Sequence, residues 1–136
     1  MSIDIRLETE NGDSVREVLD PRGLTSWLLE LGDLSATVCL RFIDPYGDAV
    51  FNQAQLPVLR AEVLNLARSI SEAGLRNCKA SYLERARAWP IKGQEEAREH
   101  LATLTTEELK AHVTSISTLI DQGLGEPHLY VRFAGD

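Results

Sequence analysis

The chain has 136 residues, of which 43% are hydrophobic, and carries 14 Lys and Arg against 21 Asp and Glu for a formal net charge of −7. That length suits a single domain over 1–136, large enough to bury a core without disulfide staples. The charge disfavours nucleic acid and anionic membranes as general partners and leaves a basic protein as one that fits.

The other composition signals point the same way. No apolar run approaches the ~18 residues needed to cross a bilayer. The opening MSIDIRLETE has neither the basic nor the apolar region of a secretion signal. Cys39 and Cys78 make no framework, so reduced thiols in a cytoplasmic chain are expected.

In chain order, Ile3, Ile5 and Leu7 alternate with Asp4, Arg6 and Glu8, the pattern of a half-buried strand. Asn11-Gly12 supplies the positive φ values of a tight hairpin, so residues 14–19 are expected to return as a strand. A short helix is the rival, because Ser14 and Glu17 have capping-box spacing. Asp20-Pro21-Arg22-Gly23 is a turn, after which Thr25 is expected to cap a short helix that Gly32 ends.

The stretch TVCLRFIDPYGDAVFN, residues 37–52, reads as strand, turn and short returning strand. Val38, Leu40 and Phe42 alternate with Cys39, Arg41 and Ile43. Asp44-Pro45-Tyr46-Gly47 fits a type I turn: Asp caps the backbone, Pro presets φ and Gly closes. LYVRFAGD, residues 129–136, echoes this stretch, with Leu129, Val131 and Phe133 on one face. Strands over 37–43 and 128–134 in one sheet would bury Phe42 and Phe133 and put Arg41 and Arg132 on the same outer face.

Between these stretches the chain is helical. Leu56, Leu59, Val63, Leu66 and Ile70 form a stripe that starts near Pro57 and is expected to stop at Gly74. Leu75, Cys78, Tyr82, Ala86 and Trp89 repeat the spacing as far as Pro90. A looser 91–93 precedes a helix over 94–104. Thr105 to Glu108 is a capping box that opens the stripe of Leu109, Val113, Ile116 and Ile120. The fold expected is α+β: an antiparallel-rich sheet (N-terminal hairpin, central hairpin, C-terminal strand) with a long helical insertion packed on one face.

Three constellations could carry chemistry. Asp44, Asp48 and Asp136 follow strand ends, Glu126 and His128 lie just before the last strand, and carboxylates converging there could hold a hard cation such as Mg²⁺; simple turn chemistry explains the same residues more economically. Arg41 and Arg132 on one face could grip an anion, but Asp4 and Glu8 are at hand for a cross-strand charge ladder. Residues 76–92 hold Arg76, Lys79, Arg85, Arg87 and Lys92 against Glu84 alone, a docking surface for an acidic partner or, more commonly, a solvated helix face that Glu95, Glu96 and Glu99 neutralise.

His100, His112 and His128 stand singly, without HxH or HExxH spacing. No nucleophile elbow, CxxC or phosphate-binding glycine loop occurs. Trp27 and Trp89 fall on apolar stripes and read as core. No metal or other cofactor is expected.

CLRFIDPYGDAVFN and HLYVRFAGD resemble segments of small bacterial cytoplasmic proteins, a resemblance that implies no activity. The acidic, motif-poor profile resembles immunity and antitoxin proteins, which neutralise toxins by covering them. The acidic excess and the missing catalytic constellation point to a non-enzymatic protein-binding module, an immunity-type inhibitor of a basic partner, with Asp44, Tyr46, Asp48 and Asp136 expected as contacts. The alternatives are a metal-dependent hydrolase built on Asp44, Asp48, Asp136 and His128, and a structural subunit of a larger assembly.

Overall fold

A computed structural model describes residues 2–136 of the chain. Among the described residues are strands β1 (Ile3–Glu8), β2 (Ser14–Val18), β3 (Asp48–Phe51) and β4 (Tyr130–Gly135). The α-helices are α1 (Leu24–Leu31), α2 (Leu56–Ser69), α3 (Glu72–Ala86), α4 (Ile91–Thr103) and α5 (Thr106–Gly125). The strands form one antiparallel sheet in the order β2-β1-β4-β3. The fold is α+β, as the alternation and helix stripes require.

The period-two pattern decides which face meets the helices. Ile3, Ile5 and Leu7 of β1, Val131 and Phe133 of β4, and Phe51 of β3 are all buried. They pack with the α5 stripe Leu109, Val113, Ile116 and Ile120 and the α2 stripe Leu56, Leu59 and Val63 in one core. Phe51 and Phe133 meet edge to face at 5.9 Å, the arrangement the ring quadrupoles favour. Helix α5 opens where the capping box requires, with the Glu108 N–H donating to Thr105 Oγ1 at 3.1 Å.

The outer face carries the charge ladder. Arg6 and Arg132 stand directly opposite across β1 and β4, a repulsive pairing if left alone. Each finds a carboxylate instead. Arg132 bonds Glu8 and, at 2.9 Å, Asp48, while Arg6 faces Glu17 at 3.7 Å. Asp4 is not part of this ladder, because its Oδ1 accepts the Asp20 N–H at 2.8 Å.

The expected strand over 37–43 does not form. Leu40–Phe42 is a single 3-10 turn, and β3 pairs with β4 rather than with the preceding segment. The physical reason lies in α2. Glu62 accepts the N–H groups of Val38, Cys39 and Leu40 at 2.8 to 3.0 Å, so these donors are not available for a ladder. Cys39, Leu40 and Ile43 turn inward, and Phe42, expected in the core, is 62% exposed. Arg41 consequently lies off the sheet and shares no face with Arg132.

Other boundaries shift for local reasons. The α2 stripe ends at Ser69, and Gly74 lies inside α3, whose first turn is capped by the Ser71 hydroxyl accepting the Gly74 N–H at 3.0 Å. Residues 91–93 are the first turn of α4 rather than a looser lead-in.

Thr25 does not cap α1. Asp20, 1% exposed, takes that role from outside the helix. Its Oδ1 accepts the Leu24 N–H at 2.6 Å, and its Oδ2 accepts those of Thr25 at 3.2 Å and Ile3 at 3.1 Å. Gly23 at φ 67° makes the approach possible, a conformation that costs other residues more. The Thr25 hydroxyl donates to the Ile3 carbonyl at 3.3 Å and lies 2.9 Å from His112 Nε2.

Two stability predictions follow from this packing. Asp20→Ala leaves three backbone donors without their acceptor and should cost about 3 kcal/mol or more in urea denaturation. Phe42→Ala should cost less than about 0.5 kcal/mol, as exposed substitutions usually do. The reverse ranking would contradict the assignment of core and surface.

Burial holds the His112 pKa below its ordinary value, against the upward pull of Asp20 and Glu108, and burial together with Arg22 lowers that of His100. Both rings resist protonation when folded and accept it near pH ~6.5 when unfolded. Stability should therefore fall as pH drops below about 6.5, because the unfolded chain then binds more protons. His112→Gln should flatten that slope, and chemical denaturation at a series of pH values between 7 and 5 measures it.

Candidate functional site

The strand-end residues singled out by the sequence are brought together at one edge of the sheet. Asp48 pairs with Ala134 across β3 and β4, and the Gly135 N–H donates to the Gly47 carbonyl at 2.9 Å. The Asp44 to Gly47 turn closes through the Gly47 N–H on the Asp44 carbonyl at 3.3 Å, and Asp44 Oδ1 accepts the Tyr46 N–H at 2.8 Å. A Cβ at Gly135 would lie 2.5 Å from the Asp44 and Pro45 backbone, so only glycine permits this contact. Asp136 accepts the Ser2 hydroxyl at 3.0 Å.

The four expected contact residues differ in their freedom. Tyr46 is 73% exposed, and Asp44 and Asp136 are exposed. Asp48 is exposed but tied to Arg132. Phe42, which the alternation placed inside, joins this surface instead, with the Arg41 guanidinium 4.9 Å from its ring centroid. Two aromatic rings and three carboxylates thus share one edge of the fold, on a turn fixed by its own backbone bonds.

His128 and Glu126 do not join them. Both precede β4, whose six residues put about 20 Å between its ends at ~3.4 Å per residue. His128 faces Glu10 at 3.4 Å. Among the described residues no group of three or more His, Cys, Asp or Glu is placed to hold a metal ion. Cys39 and Cys78 are free; burial raises both thiol pKa values, aided by Glu62 and Glu30 respectively, which keeps them as weakly nucleophilic thiols at neutral pH. Among the described residues no helix is long and apolar enough to cross a membrane.

The basic stretch 76–92 is largely engaged, though not by the carboxylates expected. Arg85 pairs with Glu30 at 3.1 Å, Arg87 with Glu84 at 3.2 Å, and Lys79 Nζ donates to the Leu104 carbonyl at 2.7 Å.

A second site was not legible as such in the sequence. Helices α1, α3 and α4 enclose a cleft of about 520 Å³, walled by Trp27, Tyr82 and Trp89 and bordered by Arg22, Arg85, Glu30 and His100. Trp27 and Tyr82 approach at 5.3 Å, and Tyr82 and Trp89 meet at right angles at 5.5 Å. Trp27 is buried as expected, but Trp89 is 40% exposed. The available signal was that the α3 stripe carries Cys, Tyr and Trp where a core stripe usually carries Leu, Ile or Val.

Comparison of the chain with known protein families, with curated proteins and with solved structures finds no significant match.

Proposed function

We propose that the chain is a non-enzymatic protein-binding module, an immunity- or antitoxin-type inhibitor that covers a basic protein partner in the bacterial cytoplasm. The observation that carries this reading is that Phe42 and Tyr46, 62% and 73% exposed, flank the acidic turn at Asp44. Large rings left in water beside charges are the composition of an interface centre.

The surface is also preorganised. Glu62 fixes the 3-10 turn under Phe42, and the Gly135 contact fixes the turn under Tyr46. Binding then orders little new backbone, which lowers its entropic cost. The carboxylates Asp44 and Asp136 would steer a cationic partner, raising the association rate more than the affinity. The hydrolase alternative loses support because His128 stands at the far end of β4 from Asp44, Asp48 and Asp136.

The test is affinity capture from the native lysate with the wild type and with Phe42→Ala/Tyr46→Ala. A basic protein should be retained by the first and lost by the second. Its association should slow several-fold with Asp136→Lys and with added salt, at an unchanged thermal midpoint. Asp48→Lys is the poorer variant, since it also breaks the Arg132 pair. Equal retention by the double variant, or rates indifferent to salt and to Asp136→Lys, would remove the strand-end interface.

A further inference from the structure

We propose that the cleft walled by Trp27, Tyr82 and Trp89 binds a small planar aromatic monoanion, an aryl carboxylate in its simplest form. This site shares no residue with the strand-end surface and stands or falls independently of the partner proposed for it.

The size is right for such a ligand. A cleft of about 520 Å³ falls inside the ~300–1,000 Å³ common for small-molecule sites, which combine aromatic walls with a few polar groups. The aromatic wall is held in place rather than loosely displayed. Trp27 is anchored in the core, and Tyr82 contacts both indoles. The Trp89 backbone is fixed by its N–H on the Ala86 carbonyl at 2.9 Å and by Gln94 Nε2 donating to its carbonyl at 2.8 Å. An apolar ring kept partly wet in a fixed place gains by stacking with a planar ligand.

The guanidinium donors select the sign. Two guanidiniums, Arg22 and Arg85, and one carboxylate, Glu30, line the cleft, and a second carboxylate, Glu108, pairs with Arg22. Arg85 spends Nη2 on Glu30 and lies 5.7 Å from the Tyr82 ring centroid. It already occupies the place an incoming cation would take over that ring. A guanidinium has five N–H donors in a fork matched to carboxylate, so one bond to Glu30 leaves capacity for a ligand anion at the cleft edge. Arg22 is compensated from behind by Glu108 at 2.5 Å and Thr103 at 3.0 Å, which holds it in place. The guanidinium donors left at the cleft edge match the carboxylate of one such ligand.

Calorimetric titration with 2-naphthoate, 2-naphthylmethanol and 2-naphthylmethylammonium tests the assignment, since the ring is constant and the charge varies. Naphthoate should bind with one-to-one stoichiometry, about tenfold more tightly than the neutral alcohol, and the ammonium should not bind. Trp89→Ala should abolish binding of both ligands. Arg85→Gln should bring naphthoate down to the alcohol's affinity and leave the alcohol unchanged. Trp89→Ala also removes the Tyr82 contact and Arg85→Gln the Glu30 pair, so the thermal midpoint of each variant is measured alongside to show that it is folded at the titration temperature. Absence of saturable naphthoate binding at millimolar concentration would overturn the proposal. So would binding that survives Trp89→Ala, or alcohol or ammonium binding as tight as naphthoate.

Discussion

The Asp20 carboxylate is the fixed point of this fold. It sits almost wholly buried and accepts backbone N–H groups from Ile3 at the start of β1 and from Leu24 and Thr25 at the start of α1. A buried carboxylate without such donors would be strongly unfavourable; with them it becomes a junction between sheet and helices. Thr25 and His112 extend the junction to α5 through the 2.9 Å contact. Both candidate surfaces connect to it. Ile3 pairs with Gly135 at the strand-end edge, while the turn from Asp20 leads through Arg22 into α1, which supplies Trp27 to the cleft.

Local chemistry was legible wherever it was self-contained. The alternation of β1 and β4, the Asp44 turn and the Thr105 capping box each form as their residues dictate, and the hairpin at Asn11-Gly12 forms with only Gly12 at positive φ, 83°. The failures at 37–43 and at Thr25 share one cause, a side chain outside the segment that takes its backbone donors. Residues 37–43 alternate like a strand, but Glu62, more than twenty positions later, takes their donors, and the inward set becomes Cys39, Leu40 and Ile43. Thr25 looks like a cap until Asp20 occupies the donors from behind the turn. No period in the sequence encodes either event.

The candidate site divides along the same line. Asp44, Tyr46 and Asp48 were legible because a turn exposes its own residues, and Asp136 because it follows a strand end. Phe42 was not, since its side depended on Glu62. The cleft was hidden for a different reason: Trp and Tyr at helical spacing look the same whether the facing helix fills the space or leaves it open. Charge shows a similar division. The overall −7 suggests one acidic surface, yet folding leaves carboxylates exposed at the strand end and pairs the cleft's guanidiniums with Glu30 and Glu108, so the two surfaces differ in character.

That one buried carboxylate joins the two halves is tested most directly by native-state hydrogen exchange at the Ile3, Leu24 and Thr25 amides. If Asp20 binds all three in the folded state, Ile3 and Thr25 should exchange only through global unfolding, as slowly as the core amides of α5, with Leu24 protected beside them. Exchange of Ile3 or Thr25 well ahead of the α5 core would show that sheet and helices part locally, and would contradict the junction.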